Sequence, residues 1–241
     1  MARVGLIAMG VFVLAIQAFG YDYQARYKAD DAFTKLTDSK GNGDARLYGT
    51  RNFRVVLHGV LYRGGANNHA HRTNPRDNRN PLQEDGLDNL CKEGFGTAIY
   101  TYERGFETAV RQRRCSSVRS EMNNLGYVHL SPIDEMSRYE ILKLIHRAAE
   151  DTREGPVYVH CWNGWHSSGF TAAVALMQFC GLTGDQAAAY WEGTLEGTAE
   201  NYQGVLKRIR AFQPFPEFKI SAERQKQICP VLVKPTPRKK I

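Results

Sequence analysis

Gly155-Pro156-Val157-Tyr158-Val159-His160-Cys161-Trp162-Asn163-Gly164-Trp165-His166-Ser167-Ser168-Gly169 is the stretch on which the fold turns. Val157, Tyr158 and Val159 read as a short apolar β-run that ends at His160-Cys161. Gly164 turns the chain, and an apolar helix is entered at Ser168. A strand, a tight loop and a helix N-terminus in that order place backbone N–H groups and the positive end of a helix around one thiol. Both stabilise a thiolate and an anion beside it, which makes Cys161 a candidate nucleophile. The competing reading is a buried structural cysteine. Gly164 gives the backbone the freedom to aim an N–H at a bound oxygen.

The helix after the loop is apolar nearly all round over 170–179, so it should be buried at the centre of a domain. Upstream, Phe53 to Leu57 and Val60 to Arg63 read as two strands joined by a tight turn at His58-Gly59. Leu82, Leu87 and Leu90 mark a helix over 82–92, closed by Gly94. A buried strand is expected over 97–102, a polar helix over 115–125 and a further strand over 127–130. Ser137-x-x-Glu140 has the form of a capping box opening a helix with Ile141, Leu144, Ile145 and Ala148 on one face. Thr183-x-x-Gln186 starts another helix, and Thr198 is a candidate cap for a last one ending near Phe212.

Strands alternating with helices, with a ligand loop at the carboxyl end of a strand, describe an α/β domain with an open, mostly parallel sheet of four to five strands. The 241 residues suffice for one such domain. The expected division is a signal peptide or N-terminal anchor at 1–20, a lead-in at 21–50, the domain at 51–215 and a basic tail at 216–241. The net charge of +7 includes Lys234, Arg238, Lys239 and Lys240 in that tail. The remaining excess suits an anionic small molecule, and no basic stripe interleaved with aromatics points to nucleic acid.

Arg3 followed by an apolar run from Val4 to Phe19, with Ala18 and Gly20 as small residues, reads as a signal peptide cleaved before Tyr21. The alternative is an uncleaved anchor, the only route by which this chain would meet a membrane. Either way the domain is expected to be exported, periplasmic or secreted. An odd count of five cysteines then leaves one thiol over. Cys91–Cys115 and Cys180–Cys229 are candidate pairs with Cys161 the survivor, and four buried free thiols remain the alternative. No cofactor is implied. A metal site on Cys161 with His160 or His166 finds no support from a second ligand cluster.

The loop resembles the signature of the atypical dual-specificity, cysteine-dependent phosphatases, His-Cys-x-x-Gly-x-x-Arg-Ser/Thr-Gly, at every fixed position but one. Leu61-Tyr62-Arg63-Gly64-Gly65 is similar to the segment that opens those domains, and Leu130-Ser131-Pro132-Ile133-Asp134 stands where they carry an acid loop. The resemblance spans about 53–212 in the right order. It implies a protein tyrosine phosphatase-like fold and hydrolysis of a phosphorylated small molecule or phosphoprotein through a phospho-cysteine. It further implies that His160 holds the loop by hydrogen bonds, that the Ser168 hydroxyl helps the thiolate leave, and that Asp134 is the general acid, with Glu135 as its rival and a cap on the Ser137 helix as the competing reading of Asp134. Trp162, Asn163, Gly164, Trp165, His166, Ser167 and Gly169 become the substrate-binding loop, with Arg63 near the pocket.

The departure is Ser167, where the family has arginine. Arginine would offer two oxygens a planar, permanently charged fork; serine offers one neutral hydroxyl. Losing one donor at such a site costs about 10²–10³ in rate. Three outcomes follow: the charge comes from elsewhere, the substrate is not a dianionic ester, or the domain binds without turnover. His166, Arg63, Arg72, Arg76 and Arg79 are the candidates for the first. Trp162 and Trp165 wall a pocket or pack on the core. Alternatives to the phosphatase are a pseudophosphatase that recognises an anionic partner, and other cysteine chemistry such as sulfur transfer.

Overall fold

The computed structural model describes residues 21–66, 80–196 and 198–232. The signal-type segment, Arg72, Arg76, Arg79 and the four cations of the tail lie outside the described residues. In chain order the elements begin with α1 (Tyr23–Arg26), β1 (Arg51–Leu57), β2 (Leu61–Gly65), α2 (Glu84–Lys92), β3 (Thr97–Tyr100), β4 (Gln112–Cys115) and β5 (Asn123–His129). They continue with α3 (Glu135–Glu150), β6 (Val157–Cys161), α4 (Ser167–Cys180), α5 (Gly184–Gly193), α6 (Gln203–Ala211) and α7 (Ala222–Ile228).

One six-stranded sheet runs in the order β1-β2-β6-β3-β5-β4. The pairs β2–β6, β6–β3 and β3–β5 are parallel, while β1 and β4 add antiparallel edges. β2 and β6 are buried along their whole length, as parallel strands covered on both faces must be. On one face α3, α4, α5 and α6 pack an aliphatic core around Val157, Val159, Phe170 and Leu176. On the other the core is aromatic: Tyr23, Tyr27, Phe53, Tyr62, Phe95 and Tyr158 pack together. α4 is buried nearly all round and ends on Gly181 at φ 70°, the left-handed stop that glycine adopts without strain.

The sheet has six strands where four to five were expected. The extra one is β4, whose Gln112-Arg113-Arg114-Cys115 carries no apolar run to announce it. The polar helix expected over 115–125 does not exist. Cys115 ends β4, and Asn123 and Asn124 pair with Cys115 and Arg114 at the start of β5. In between, the Ser117 hydroxyl takes the Arg119 and Ser120 amides at 3.2 Å, a local bond that competes with helix. α3 starts at Glu135 on an Asp134 cap, so Ser137 is inside the helix rather than before it. α6 starts at Gln203 and has no side-chain cap, so Thr198 does not cap it.

Both outer boundaries also move. The 21–50 segment is part of the core: Tyr23, Tyr27, Ala32 and Leu47 are buried, and the Tyr23 and Tyr27 hydroxyls donate to Glu93. Tyrosines do the burying there, so a search for aliphatic residues passes over it. At the other end Phe218 and Ile228 are buried, so the domain does not stop at 215. Disulfides join Cys91 to Cys115 and Cys180 to Cys229, across 24 and 49 residues. Loops of those lengths give about 3–4 kcal/mol each by chain-entropy reasoning. Among the described residues no helix is long and apolar enough to cross a membrane.

Candidate active site

Cys161 is the last residue of β6 and the one cysteine outside a disulfide; it is 5% exposed. Its Sγ lies 3.5 Å from Ser168 Oγ, a buried hydroxyl in the first turn of α4. The first-turn amides of that helix have no carbonyl partner within it, and its dipole is positive at this end. The thiol therefore sits beside donors that would favour a bound anion.

His160 fixes the backbone beneath it. Its ring is fully buried, stacked between Tyr100, Tyr127 and Tyr158. The Cys161 carbonyl can only accept, so Nδ1–H donates to it at 3.1 Å and Nε2 accepts from the Tyr127 hydroxyl at 2.7 Å. Tyr127 accepts in turn from the Leu82 amide at 3.0 Å. Burial pushes His160 down to about 3, so the ring is neutral. Unfolding restores its ordinary value, so the unfolded chain binds the extra proton between about pH 6.5 and 3. Stability from this histidine is whole above pH 6.5 and is lost as pH falls towards 3, by up to about 1.4 kcal/mol per unit. Thermal melts from pH 7 to 4 should show this slope, and His160→Asn should flatten it. Half-buried His58 and His166, shifted the same way, leave a residual slope.

The loop rests on β2 through glycines. Gly164 has φ 77°, and a Cβ there would stand 2.6 Å from the Gly65 nitrogen. Arg63, fully buried, donates from Nη1 to the Gly164 carbonyl at 2.7 Å and from Nε to the Tyr190 hydroxyl at 3.3 Å. It also lies against the backbone of Gly169, where a Cβ would be 3.3 Å from Nη1. Ser167 Oγ donates to the Thr101 carbonyl at 3.1 Å, so its hydroxyl ties α4 to the end of β3. Thr101 itself donates to the His160 carbonyl through both its amide and its hydroxyl.

Two residues that sequence reasoning passed over complete the loop. Arg51 Nη2 donates to Asn163 Oδ1, and Asn52 Nδ2 donates to the Asn163 carbonyl at 2.8 Å. A bulge between Arg51 and Arg54 shifts the β1–β2 register, with Asn52 at φ 50°. Such a bulge re-aims side chains. Neither residue belongs to a motif, and the signal was faint: an arginine and an asparagine immediately before a buried strand.

The other expected residues divide. Trp162 is 40% exposed and meets Tyr102 edge-on at 5.3 Å, at the rim. Trp165 packs against the aliphatic core. His166 stacks on Tyr202 at 3.9 Å, and burial pushes it down from its ordinary value. The ring turns towards Tyr202, just before α6, and its burial disfavours the cation that the loop would need. Asp134 is exposed and accepts the Ser137 amide at 2.7 Å; that bond holds its carboxyl below the usual range. A proton donor is favoured by the opposite shift, so the structure shows Asp134 as the α3 cap and its role as general acid rests on the resemblance alone. Asp134→Ala should lower the melting temperature and leave turnover of alkyl and aryl phosphates unchanged; a large fall in turnover confined to alkyl esters would restore it as the acid. Among the described residues no cluster of three or more His, Cys, Asp or Glu could hold a metal.

No family model matches the chain, and no curated protein matches it. Among solved structures it is similar to TpbA of P. aeruginosa, at 17% identity over 66% of this chain and 86% of that one, with a TM-score of 0.40. It is similar to the PTP-2 phosphatase of Cydia pomonella at 12% identity, over 61% and 84%, with a TM-score of 0.38. A third is the core catalytic domain of the PP-IP phosphatase SIW14 from S. cerevisiae in complex with citrate, at 11% identity over 70% and 99%, with a TM-score of 0.40.

Proposed function

We propose that the chain is an exported, cysteine-dependent phosphatase-like hydrolase that removes phosphate from a small molecule or phosphoprotein through a phospho-cysteine. The observation that carries this is the state of Cys161: a free thiol at a strand-to-helix loop, 3.5 Å from a first-turn hydroxyl, while every other cysteine is paired. In the first step Cys161 Sγ attacks phosphorus, the S–P bond forms and the ester P–O bond breaks. Water then attacks the phospho-cysteine, and the departing thiolate accepts a hydrogen bond from Ser168 Oγ. Asp134 caps its helix in this structure, so protonation of the leaving oxygen is the weakest part of the site. Aryl phosphates, whose leaving oxygen is weakly basic, are therefore expected to turn over fastest. The apolar segment over 4–19 and the two disulfides support export.

A second reading, an anion-binding module without turnover, is favoured by Ser167, whose hydroxyl is spent on Thr101. Phosphate release from an aryl phosphate, inhibited by vanadate, separates the two. Vanadate binding with no release over a panel of phosphate esters would replace the hydrolase by the module.

A further inference from the structure

Arg51, Gly65 and Cys161 are register partners on three adjacent strands: Arg51 pairs with Gly65, and Gly65 pairs with Cys161. Directly paired residues present their side chains on the same face of a sheet. Arg51 and Cys161 thus flank a position that has no side chain, two strand spacings or about 10 Å apart. Arg51 uses that gap. A Cβ on Gly65 would stand 2.9 Å from Arg51 Cγ and 2.8 Å from the Trp162 carbonyl, so the arginine passes over Gly65 to the loop. There Asn163 takes Nη2, and Nε and Nη1 are buried with no hydrogen-bond partner.

Arg51 is only 4% exposed, and among the described residues no carboxylate pairs with it. A desolvated guanidinium without an anion is costly, and so are two unfilled donors. Burial pushes its pKa down, and the charge of Cys161 acts in the opposite direction. The other buried arginine beside the loop, Arg63, has its Nη1 on the Gly164 carbonyl and its Nε on Tyr190.

We propose that Arg51 is the cation of this anion site: its buried guanidinium brings a permanent charge and an unfilled N–H donor to a tetrahedral oxyanion held over Cys161, a part that residue 167 cannot play. The inference rests on the phosphatase-like reading of the loop. It means that the charge lost from the helix N-terminus is supplied from a strand, through a glycine that leaves the path open. Asn163 holds the guanidinium by Nη2 and Asn52 holds Asn163, so the donor is set before the anion arrives. The ligand class is a phosphate-like dianion.

The test is calorimetric binding of tungstate to the full chain and to Arg51→Gln, Arg51→Lys, and Arg51→Gln combined with Ser167→Arg. Arg51→Gln should bind about 10- to 100-fold more weakly, since a charged donor is lost. Arg51→Lys should fall between it and the wild type. Adding Ser167→Arg should recover most of the loss, because it returns a charged fork to the same anion. Unchanged affinity in Arg51→Gln overturns the role of Arg51 and leaves the hydrolase standing. No tungstate binding by the wild type overturns the anion site itself. Should Arg51→Gln fail to fold, a crystal of the wild type with tungstate decides: an Arg51 nitrogen within hydrogen-bond distance of a tungstate oxygen supports the assignment, and a tungstate in the loop touching no Arg51 atom overturns it.

Discussion

Cys161→Ser should abolish phosphate release, by about 10⁴-fold or more, while leaving the fold and tungstate binding in place. The size follows from chemistry: a neutral hydroxyl with no base beside it is a far weaker nucleophile than a cysteine sulfur. The selectivity follows from structure. Cys161 is the one cysteine outside a disulfide, and its backbone carbonyl, held by His160, is unaffected by the change. The oxygen is smaller than the sulfur but still reaches towards Ser168, so the melting temperature should barely move. Binding without turnover in this variant, beside turnover in the wild type, separates the cup from the reaction. Equal, undiminished turnover in both would remove Cys161 from the chemistry.

The second large effect belongs to Arg63→Met. Two terms oppose each other in stability. The charge-assisted bond to the Gly164 carbonyl is worth about 1.5–3 kcal/mol, and its loss destabilises. Against that, methionine fills a similar volume and removes a buried guanidinium that has no carboxylate and whose Nη2 is unpartnered. The net change in unfolding free energy should stay below about 2 kcal/mol. Turnover is a different matter. The turn at Gly164 loses the peg that sets it, and displacement of a catalytic loop by about 1 Å can cost about 10²-fold. A steep fall in kcat with a nearly unchanged melt is the expected pattern. Loss of stability and activity together would make Arg63 a core residue only.

Much of this was legible in the sequence because local chemistry dictated it. The 155–169 stretch spelled out strand, turn and helix in one run, and the structure has β6 ending at Cys161 and α4 starting at Ser167. Thr183 and Gln186 form the capping box their spacing announced. What failed lay where tertiary pairing outranks pattern. β4 is an edge strand of polar residues, stabilised by its neighbour and by Cys91–Cys115 rather than by burial. Asp134 and Ser137 compete for one helix start, and the residue whose carboxylate reaches the third amide on won. Arg51 could not have been found from spacing at all. It is 110 residues from Cys161 in the chain, and only the register through Gly65 brings the two together.

The most direct measurement is a rapid acid quench of the wild type during turnover of an aryl phosphate, followed by mass analysis of the peptide that contains Cys161. One phosphoryl group on that thiol, absent from Cys161→Ser and discharged to inorganic phosphate when quenching is delayed, is the result expected. Steady release of phosphate with the Cys161 peptide unmodified throughout would contradict nucleophilic attack by this sulfur.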